Sequence, residues 1–532
     1  MDKKKRFEKK VVTPHKISLE EVGPGLIRKS VIVEGCIEKV MQTGGPTVFD
    51  LTDGTGNLSL KGFIAPGERA YPNIDAGDCV VAVVRIDEFN GEIEGNIDKI
   101  EKKTGEARKV LMQSIEQKQR TKAKVTQDSF MVNDKILTKL KDRIVKAAEE
   151  IRLAVIQSRP IIVRHHNDCD GYSAGFALER AILPLIEKQH IGPKAGWEYF
   201  TRAPCKAPLY ELEDSIKDTA NSLRNVAKFS NKMPLVIIAD NGSSEDDLMA
   251  IQQGKIHGAD FIVIDHHGFD KDVISAETLV HINPFLVEES GSSYSAGMLC
   301  SELARFINPD VKNMEQIPAL TGLTDRIDLE NPKTVKIYLE NAAKEGYTEE
   351  LLRDIGLVMD FVARKLRFME AREYIEVMFG EPRDKQKELV ALMAPYIKKL
   401  DAKGLAIGKV SAVVEKVGKV NVQTIYVEES FPGFGFYPNP GRAISLLHEN
   451  FLNENSGEKA LITMGVMNTG IIFRATDAAN FSVHEVKETV EKKLPSAFVA
   501  GGGHKNAGSL SFLPKSRDEV LKVVKDFVKG SN

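Results

Sequence analysis

Acids and histidines gather just past the ends of short apolar runs in this chain. Ile161-Ile162-Val163 leads into His165-His166-Asn167-Asp168-Cys169-Asp170-Gly171, and Leu235-Val236-Ile237-Ile238-Ala239 stops at Asp240-Asn241-Gly242. Phe261-Ile262-Val263-Ile264 stops at Asp265-His266-His267-Gly268, and a fourth acid, Asp325, follows Ala319-Leu320-Thr321-Gly322-Leu323-Thr324. In His166-x-Asp168-x-Asp170 the side chains alternate, so an extended strand end would present all three on one face. Gly171 then allows a sharp turn into a helix. Oxygen and imidazole donors without thiolate suit Mn²⁺, Mg²⁺ or Fe²⁺ better than a structural zinc. Cys169, between two candidate ligands, should point away into the core. Any one of these acids could simply cap the helix after its strand. Four acidic elements with His166, His266 and His267, in this order, are better explained by a pair of divalent metals.

The apolar runs must position these groups. Short, β-branched and free of polar interruption, they read as buried strands of a parallel sheet. Ligand sites in such sheets lie past the carboxyl ends of the strands, so three strand ends deliver the groups to one rim. At 532 residues the chain exceeds one ordinary core, and three or four domains are expected. Hydrophobic content of 42% and charged content of 28% are ordinary for a soluble globular protein. No run approaches the ~18 apolar residues of a transmembrane helix. Met1-Asp2-Lys3-Lys4-Lys5-Arg6 lacks the apolar core of a secretory signal, so a cytoplasmic protein with no membrane partner is expected. Five scattered cysteines without C-x-x-C spacing point to the same reducing compartment, and away from a disulfide framework or a zinc ribbon.

The organisation reads as multidomain α/β. Residues 1–29 form a basic arm carrying Lys3, Lys4, Lys5, Arg6, Lys9 and Lys10. Residues 30–104 hold five short strands, and the Asp53-Gly54-Thr55-Gly56 turn between the second and third makes this β-barrel resemble an OB-fold. Few aromatics (Phe49, Phe63, Tyr71, Phe89) are available for base stacking. Nucleic-acid affinity would lean on the arm and on nine basic residues against three acidic ones from Lys99 to Lys124. A solvated helix face, or a barrel that only docks on its neighbour, is the alternative. Residues 105–157 read as a helical connector with an apolar stripe of Ile136, Leu137, Leu140, Ile144 and Ala147. An α/β domain spans 158–335 and a helical linker 336–402. A second α/β unit fills 403–532, opening at Leu405-Ala406-Ile407-Gly408 and containing Gly501-Gly502-Gly503-His504.

The four acidic elements resemble the four motifs of the DHH phosphoesterase family, which is named for the third, Asp265-His266-His267. The likeness covers about residues 158–330. Gly501-Gly502-Gly503-His504, with Ala507 after it, resembles the DHH-associated C-terminal domain and extends the likeness to the end of the chain. Within the family the pattern is most similar to the RecJ-like single-strand-specific exonucleases of the archaeal type, tied to DNA replication and repair. The resemblance implies a DHH catalytic domain at 158–335 and a DHH-associated substrate-binding domain at 403–532. It implies that His166 and Asp168 hold one metal and Asp170 the other, that Asp240 bridges them, and that His266 and Asp325 complete the second set. Asp265 would orient a neighbouring histidine, and His267 would face the scissile phosphate. Two divalent ions, Mn²⁺ preferred and Mg²⁺ acceptable, would serve hydrolysis of single-stranded DNA or RNA from an end. Arg474, Gly501, Gly502, Gly503, His504 and Lys505 would grip the substrate phosphate. Arg442 is a further candidate, and Ser292-Ser293-Tyr294-Ser295 reads first as a helix cap.

Archaeal RecJ-like proteins resemble a eukaryotic helicase component that has lost its metal motifs, which implies association with the accessory complex of the replicative helicase. A phosphodiesterase of short oligonucleotides or cyclic dinucleotides is one alternative, and a replication-complex scaffold related to that component is another. In bacterial RecJ-type enzymes the OB-fold follows the C-terminal domain. Here it precedes the catalytic domain, so their strand polarity does not transfer.

Overall fold

The computed structural model of the chain describes residues 14–531 except 191–194, 206, 230–231, 364, 367–371 and 432–437. Lys3, Lys4, Lys5, Arg6, Lys9 and Lys10 of the basic arm lie outside the described residues. Among the described helices, none is long and apolar enough to cross a membrane.

β1 (Ser30–Gln42), β2 (Thr47–Thr52), β3 (Asn57–Gly62), β4 (Cys79–Phe89) and β5 (Glu92–Lys103) close into an OB-type barrel in the order β1-β2-β3-β5-β4. Alternate residues of β1 turn inward, so Val31 and Val33 join Phe49, Leu51, Leu58, Leu60, Val80 and Val84 in one core. The Asp53 carboxylate accepts N–H bonds from Thr55 (2.8 Å), Gly56 (3.1 Å) and Leu19 (3.0 Å), which pins the turn. Gly54 has φ +82°, and a Cβ there would stand 2.7 Å from the carbonyl oxygen of Ile115, because the helix Gly105–Ala123 lies on the turn.

Two expectations are corrected in this region. Cys36 and Cys79, opposite each other on β1 and β4, form a disulfide, created by strand register and therefore invisible in the spacing of the cysteines. Cys169, Cys205 and Cys300 are free and buried. The basic stretch Lys99–Lys124 is largely neutralised. Lys102 meets Asp78 (2.7 Å), Lys103 meets Glu34, Arg120 meets Glu116 and Glu150 (3.0 and 3.1 Å), and Lys124 meets Glu149 (3.0 Å). Lys118 and Lys122 donate to the carbonyls of Asp53 and Thr55. Lys118 and Lys122 thus join the barrel to the first connector helix, while the other pairs lie within the barrel or within and between the two connector helices.

β6 (Ile161–His165), β7 (Phe200–Pro204), β8 (Leu235–Ala239), β9 (Asp260–Ile264) and β10 (Val280–Ile282) form an all-parallel sheet ordered β10-β9-β8-β6-β7. Ile161, Val163, Leu235, Ile237, Ile262 and Ile264 pack against the helices Lys135–Ile156, Cys169–Gln189 and Ala296–Ile307. Val236, Ile238, Phe261 and Val263 pack on the other face with Ala250 and Ile251 of the helix Glu245–Ile256. From β6 the chain passes to β7 on one side, then to β8 on the other. The order reverses between β6 and β8, where a crevice opens at the carboxyl ends. The barrel docks at the opposite ends of these strands. Glu38 and Lys39 of β1 meet Lys232 (2.9 Å) and Glu198 (2.7 Å), just before β8 and β7 begin. At about 3.3 Å per residue a five-residue strand spans roughly 17 Å, which separates barrel and crevice.

Linker helices, the last of them Arg383–Ser411, lead to a third sheet. It contains β11 (Val413–Val417), β12 (Val420–Tyr426), β13 (Leu461–Met467), β14 (Gly470–Ala475), β15 (Ala500–His504) and β16 (Ala507–Ser511), ordered β11-β12-β13-β14-β16-β15. Leu405–Gly408, read in sequence as the opening of this unit, lies instead in the last turns of the helix Arg383–Ser411. Gly404 and Gly408 there let the helix approach Pro438 and Leu447.

Gly54→Ala should destabilise the protein by about 1–3 kcal/mol, read as a lowered melting midpoint by circular dichroism, because the left-handed turn under Ile115 has no room for a side chain. Gly44→Ala, whose Cβ would meet nothing within 4 Å, should melt as the parent does. Equal melting of the two variants would contradict this account of the turn.

Candidate metal centre

The sheet ladder runs one residue past each strand end. The N–H groups of His166, Asp240 and Asp265 donate to the carbonyls of Ala239 (3.3 Å), Ile264 (2.9 Å) and Ile282 (2.9 Å), which sets the three segments side by side in the crevice. Asp240 has φ +62°, is 1% exposed, and neither of its carboxylate oxygens has a hydrogen-bond partner. Ring nitrogens face those oxygens instead. Oδ2 stands 3.4 Å from His166 Nδ1, and Oδ1 stands 3.3 Å from His266 Nε2 and 3.9 Å from His267 Nδ1. Asp168 Oδ2 approaches His166 Nδ1 to 2.9 Å, while Asp325 and Asp170 approach His266 Nε2 to 3.3 and 3.9 Å. Three groups of potential ligands result: His166, Asp168 and Asp240; Asp170, His266 and Asp325; and Asp240, His266 and His267. Within each group the donor atoms lie within 4.8 Å of one another.

Asp168 and Asp170 arrive by a different route from the extended strand end expected. Asp168 caps the helix Cys169–Gln189 with Oδ1 on the N–H of Gly171 (2.9 Å), which leaves Oδ2 for His166. Asp170 already lies in the first helical turn. Capping and ligation are therefore compatible, each using one oxygen. The Asp170 carboxylate also accepts the N–H groups of Ala296 (2.8 Å) and Gly297 (2.9 Å) at the start of the helix Ala296–Ile307. Ser295 caps that same helix, as its position suggested. Asp325 ends the helix Gln316–Thr324 rather than a strand.

The histidines are oriented through their other nitrogens. His266 Nδ1 stands 3.1 Å from the carbonyl of Gly291, a pairing that requires the N–H on Nδ1 and turns the Nε2 lone pair to the carboxylates. Asp265 accepts N–H bonds from Ser243 (3.2 Å), His266 (2.8 Å) and His267 (3.2 Å), and its Oδ1 lies 2.8 Å from His267 Nδ1. Asp265 thus belongs to none of the three ligand groups and holds the ring of His267. His165, buried beneath the site, is pushed down to about 3 by burial and by nearby Arg202, and turns its Nδ1 to the carbonyl of His166.

The charge balance fits divalent cations. Burial, reinforced by Asp325 and Asp240, drives the Asp170 carboxyl far above its ordinary range. Burial outweighs the neighbouring His266 and, with Asp240, pushes Asp325 up to about 7. Against their own burial, the adjacent carboxylates hold His166, His266 and His267 above the usual imidazole range. The cluster therefore retains protons where positive charge would stabilise it, and a divalent cation held there would supply that charge.

A cleft of about 650 Å³ opens over the centre, with Arg474 and Gly501–Gly503 of the third sheet on its far wall. Arg474 is anchored on the hydroxyl of Ser445 (3.1 Å) and the carbonyl of Phe473 (2.8 Å). The glycine run is the edge strand β15 rather than a loop. Gly501 (φ +143°) and Gly503 (φ +129°) would carry a Cβ within 2.1 and 2.6 Å of the Ser509 and Ala507 carbonyls, so only glycine fits and the main chain itself lines the cleft. Lys505 sits exposed in the turn after β15 and lines neither this cleft nor its neighbour. The main chain of His504 belongs to β15, and its side chain lies outside the described residues. Arg442 pairs with Asp401 (2.8 Å). Lys487 bridges the cleft to Asp246 (3.2 Å), a pairing that no motif marks because it arises where two domains meet.

A family model for the DHH family, N-terminal domain, matches residues 160–322, and one for an OB-fold nucleic acid binding domain matches residues 31–102. An uncharacterised protein of Methanocaldococcus jannaschii is 33% identical over 99% of this chain and 72% of its own length. A solved DHH domain, described as coming from a member of a family of ribosomal proteins, is 35% identical and superposes with a TM-score of 0.74 over 80% of this chain and 99% of its own. The manganese complex of RecJ from Thermus thermophilus is 15% identical and covers 73% of this chain and 54% of its own, at a TM-score of 0.48.

Asp170, Asp325 and the three histidines bind protons more tightly in the fold than in the unfolded chain. The metal-free protein should therefore lose stability as pH rises, from near 4 to about 7 through Asp325 and above about 6.5 through the histidines, whose release of protons in the fold lies higher than in the unfolded chain. A divalent cation should raise the melting midpoint and flatten that slope. A slope that persists at saturating cation would argue against these residues as the ligands.

Proposed function

The chain belongs to the DHH family of phosphoesterases, hydrolases of phosphodiester bonds, with an OB-fold domain ahead of the family domain, and from that premise we propose a single-strand-specific exonuclease that works with two divalent metals. The observation that carries this reading is Asp240, buried and without a hydrogen-bond donor, reaching both His166 and His266. His166, Asp168 and Asp240 would hold one ion; Asp170, His266 and Asp325 would hold the other, with Asp240 shared. Mixed imidazole and carboxylate donors favour Mn²⁺ over Mg²⁺. Ions held there supply an activated water and offset the charge that builds on the phosphate.

The remaining steps fall to side chains. His267, steadied through Nδ1 by Asp265, presents Nε2 for a proton or a phosphate oxygen. Arg474 and the glycine strand grip the terminal phosphate from the facing domain, and this positioning is a large part of the barrier reduction. A cleft walled by two domains admits one strand and excludes a duplex. On the barrel, Phe63 and Phe89 are 63% and 58% exposed, which suits stacking on bases. DNA and RNA are both within this reading, as is service in replication or repair in the cytoplasm beside the replicative helicase's accessory complex.

A second reading, hydrolysis of short oligonucleotides or cyclic dinucleotides, is favoured by the docking of the barrel at the far ends of the strands and by the internal pairing of its basic flank. End-labelled strands of increasing length separate the two. Phe63→Ala with Phe89→Ala should weaken binding of long strands by about 1–3 kcal/mol per stacked base. No effect at any length would favour the short-substrate reading.

Chelation should abolish hydrolysis, and Mn²⁺ should restore it. Asp240→Ala should remain folded and lose more than the roughly 10–100-fold that removal of an outer partner costs. Arg474→Ala should raise KM and lower kcat while calorimetry shows cation binding unchanged. Full activity of Asp240→Ala would end the metal assignment.

A further inference from the structure

A second cavity of about 520 Å³ meets the metal-site cleft at Asp168, Asp325, Gly441, Arg474 and Ala507. It extends toward the helices Glu349–Ala363 and Pro440–Glu454, away from the β15 wall. The two spaces differ in charge. Beyond the metal-centre residues, the first is rimmed by Glu245, Asp246, Asp270, Glu488 and Glu491 against Lys271 and Lys487. The second carries Arg326 and Arg442, with Arg474 at the junction, against Asp360 and Glu449. A polyanion is repelled by the first rim and meets a more nearly balanced set of charges at the second, where Arg442 pairs with Asp401 and Arg326 with Glu449. Asn167 Oδ1 and Asn506 Oδ1, both buried at the second cavity, have no hydrogen-bond partner.

We propose, resting on the nuclease reading above, that the second cavity is the subsite for the nucleotide on the chain side of the scissile bond. The strand enters past Arg326 and Arg442, and the first cleft receives only the terminal nucleotide that is to be released. Arg326 directly follows Asp325, with φ +59°, and pairs with Glu449 at 2.5 Å. Both partners are more than two-fifths exposed, so an incoming phosphate displaces Glu449 at little cost. The acidic rim of the first cleft keeps the body of a strand out and favours departure of a small anionic product.

Binding of a labelled ten-nucleotide single strand to the full chain, followed by fluorescence anisotropy, tests this. Arg326→Glu should weaken binding at least tenfold and reduce the slope of log K against log salt by roughly 0.7 for each phosphate that the variant no longer engages. Glu449→Gln should tighten binding, and Lys271→Glu, on the rim of the first cleft, should leave it within twofold. A weakening with Lys271→Glu that matches Arg326→Glu, or none with Arg326→Glu, would overturn the assignment. Hydrolysis of bis(p-nitrophenyl) phosphate by the parent protein is a separate readout. Its absence would count against the metal-dependent phosphodiesterase reading, and the binding comparison would still decide the subsite.

Discussion

Four carboxylates, those of Asp168, Asp170, Asp240 and Asp325, converge on one largely buried volume, and the surrounding structure answers that constraint. Burial and neighbouring carboxylates oppose ionisation at Asp170 and Asp325, whereas His166 holds Asp168 below its ordinary range, and an unmatched buried charge costs several kcal/mol. Asp170 is matched in part by two backbone N–H groups at a helix N-terminus, where the helix dipole favours an anion. Asp168 is matched by its own helix cap. Asp240 has no hydrogen-bond partner, and the ring nitrogens of His166 and His266 face its oxygens instead. Continuation of the sheet ladder past β6, β8 and β9 keeps these segments together, and the rigidity of a buried parallel sheet fixes the spacing of the donors.

The third sheet completes the site from the opposite side. Its edge strand presents main chain because Gly501 and Gly503 adopt a conformation closed to other residues, and Arg474 arrives held by Ser445. Lys487–Asp246 and Arg326–Glu449 tie the two domains on either side of the centre. Both are partly exposed pairs, of the kind that carries small energetic weight.

The barrel is more tightly integrated than a tethered module. Lys118 and Lys122 of the first connector helix donate to the carbonyls of Asp53 and Thr55, and the turn itself is locked under Ile115. The barrel docks at the amino ends of the strands, opposite the crevice that holds the acids and histidines.

The segments that converge at the centre were legible in the sequence because each is local: for three of them a β-branched run, an acid or histidine past its end, and a turn residue after it, and for Asp325 an apolar helix that it ends. The three-domain architecture was legible for the same reason, since strand and helix periodicities are properties of contiguous residues. Interactions between distant segments were not. The Cys36–Cys79 disulfide depends on the register of β1 against β4. The pairing of Lys99–Lys124 depends on which acids the barrel and the helix Lys135–Ile156 bring opposite. The places of Arg326, Lys487 and Asn506 around the centre depend on how two domains close over a cleft. Residue types and short spacings determine which groups can hold a metal. Long-range packing, which no short spacing encodes, decided which other charges stand around those groups and how the two domains face each other across the cleft.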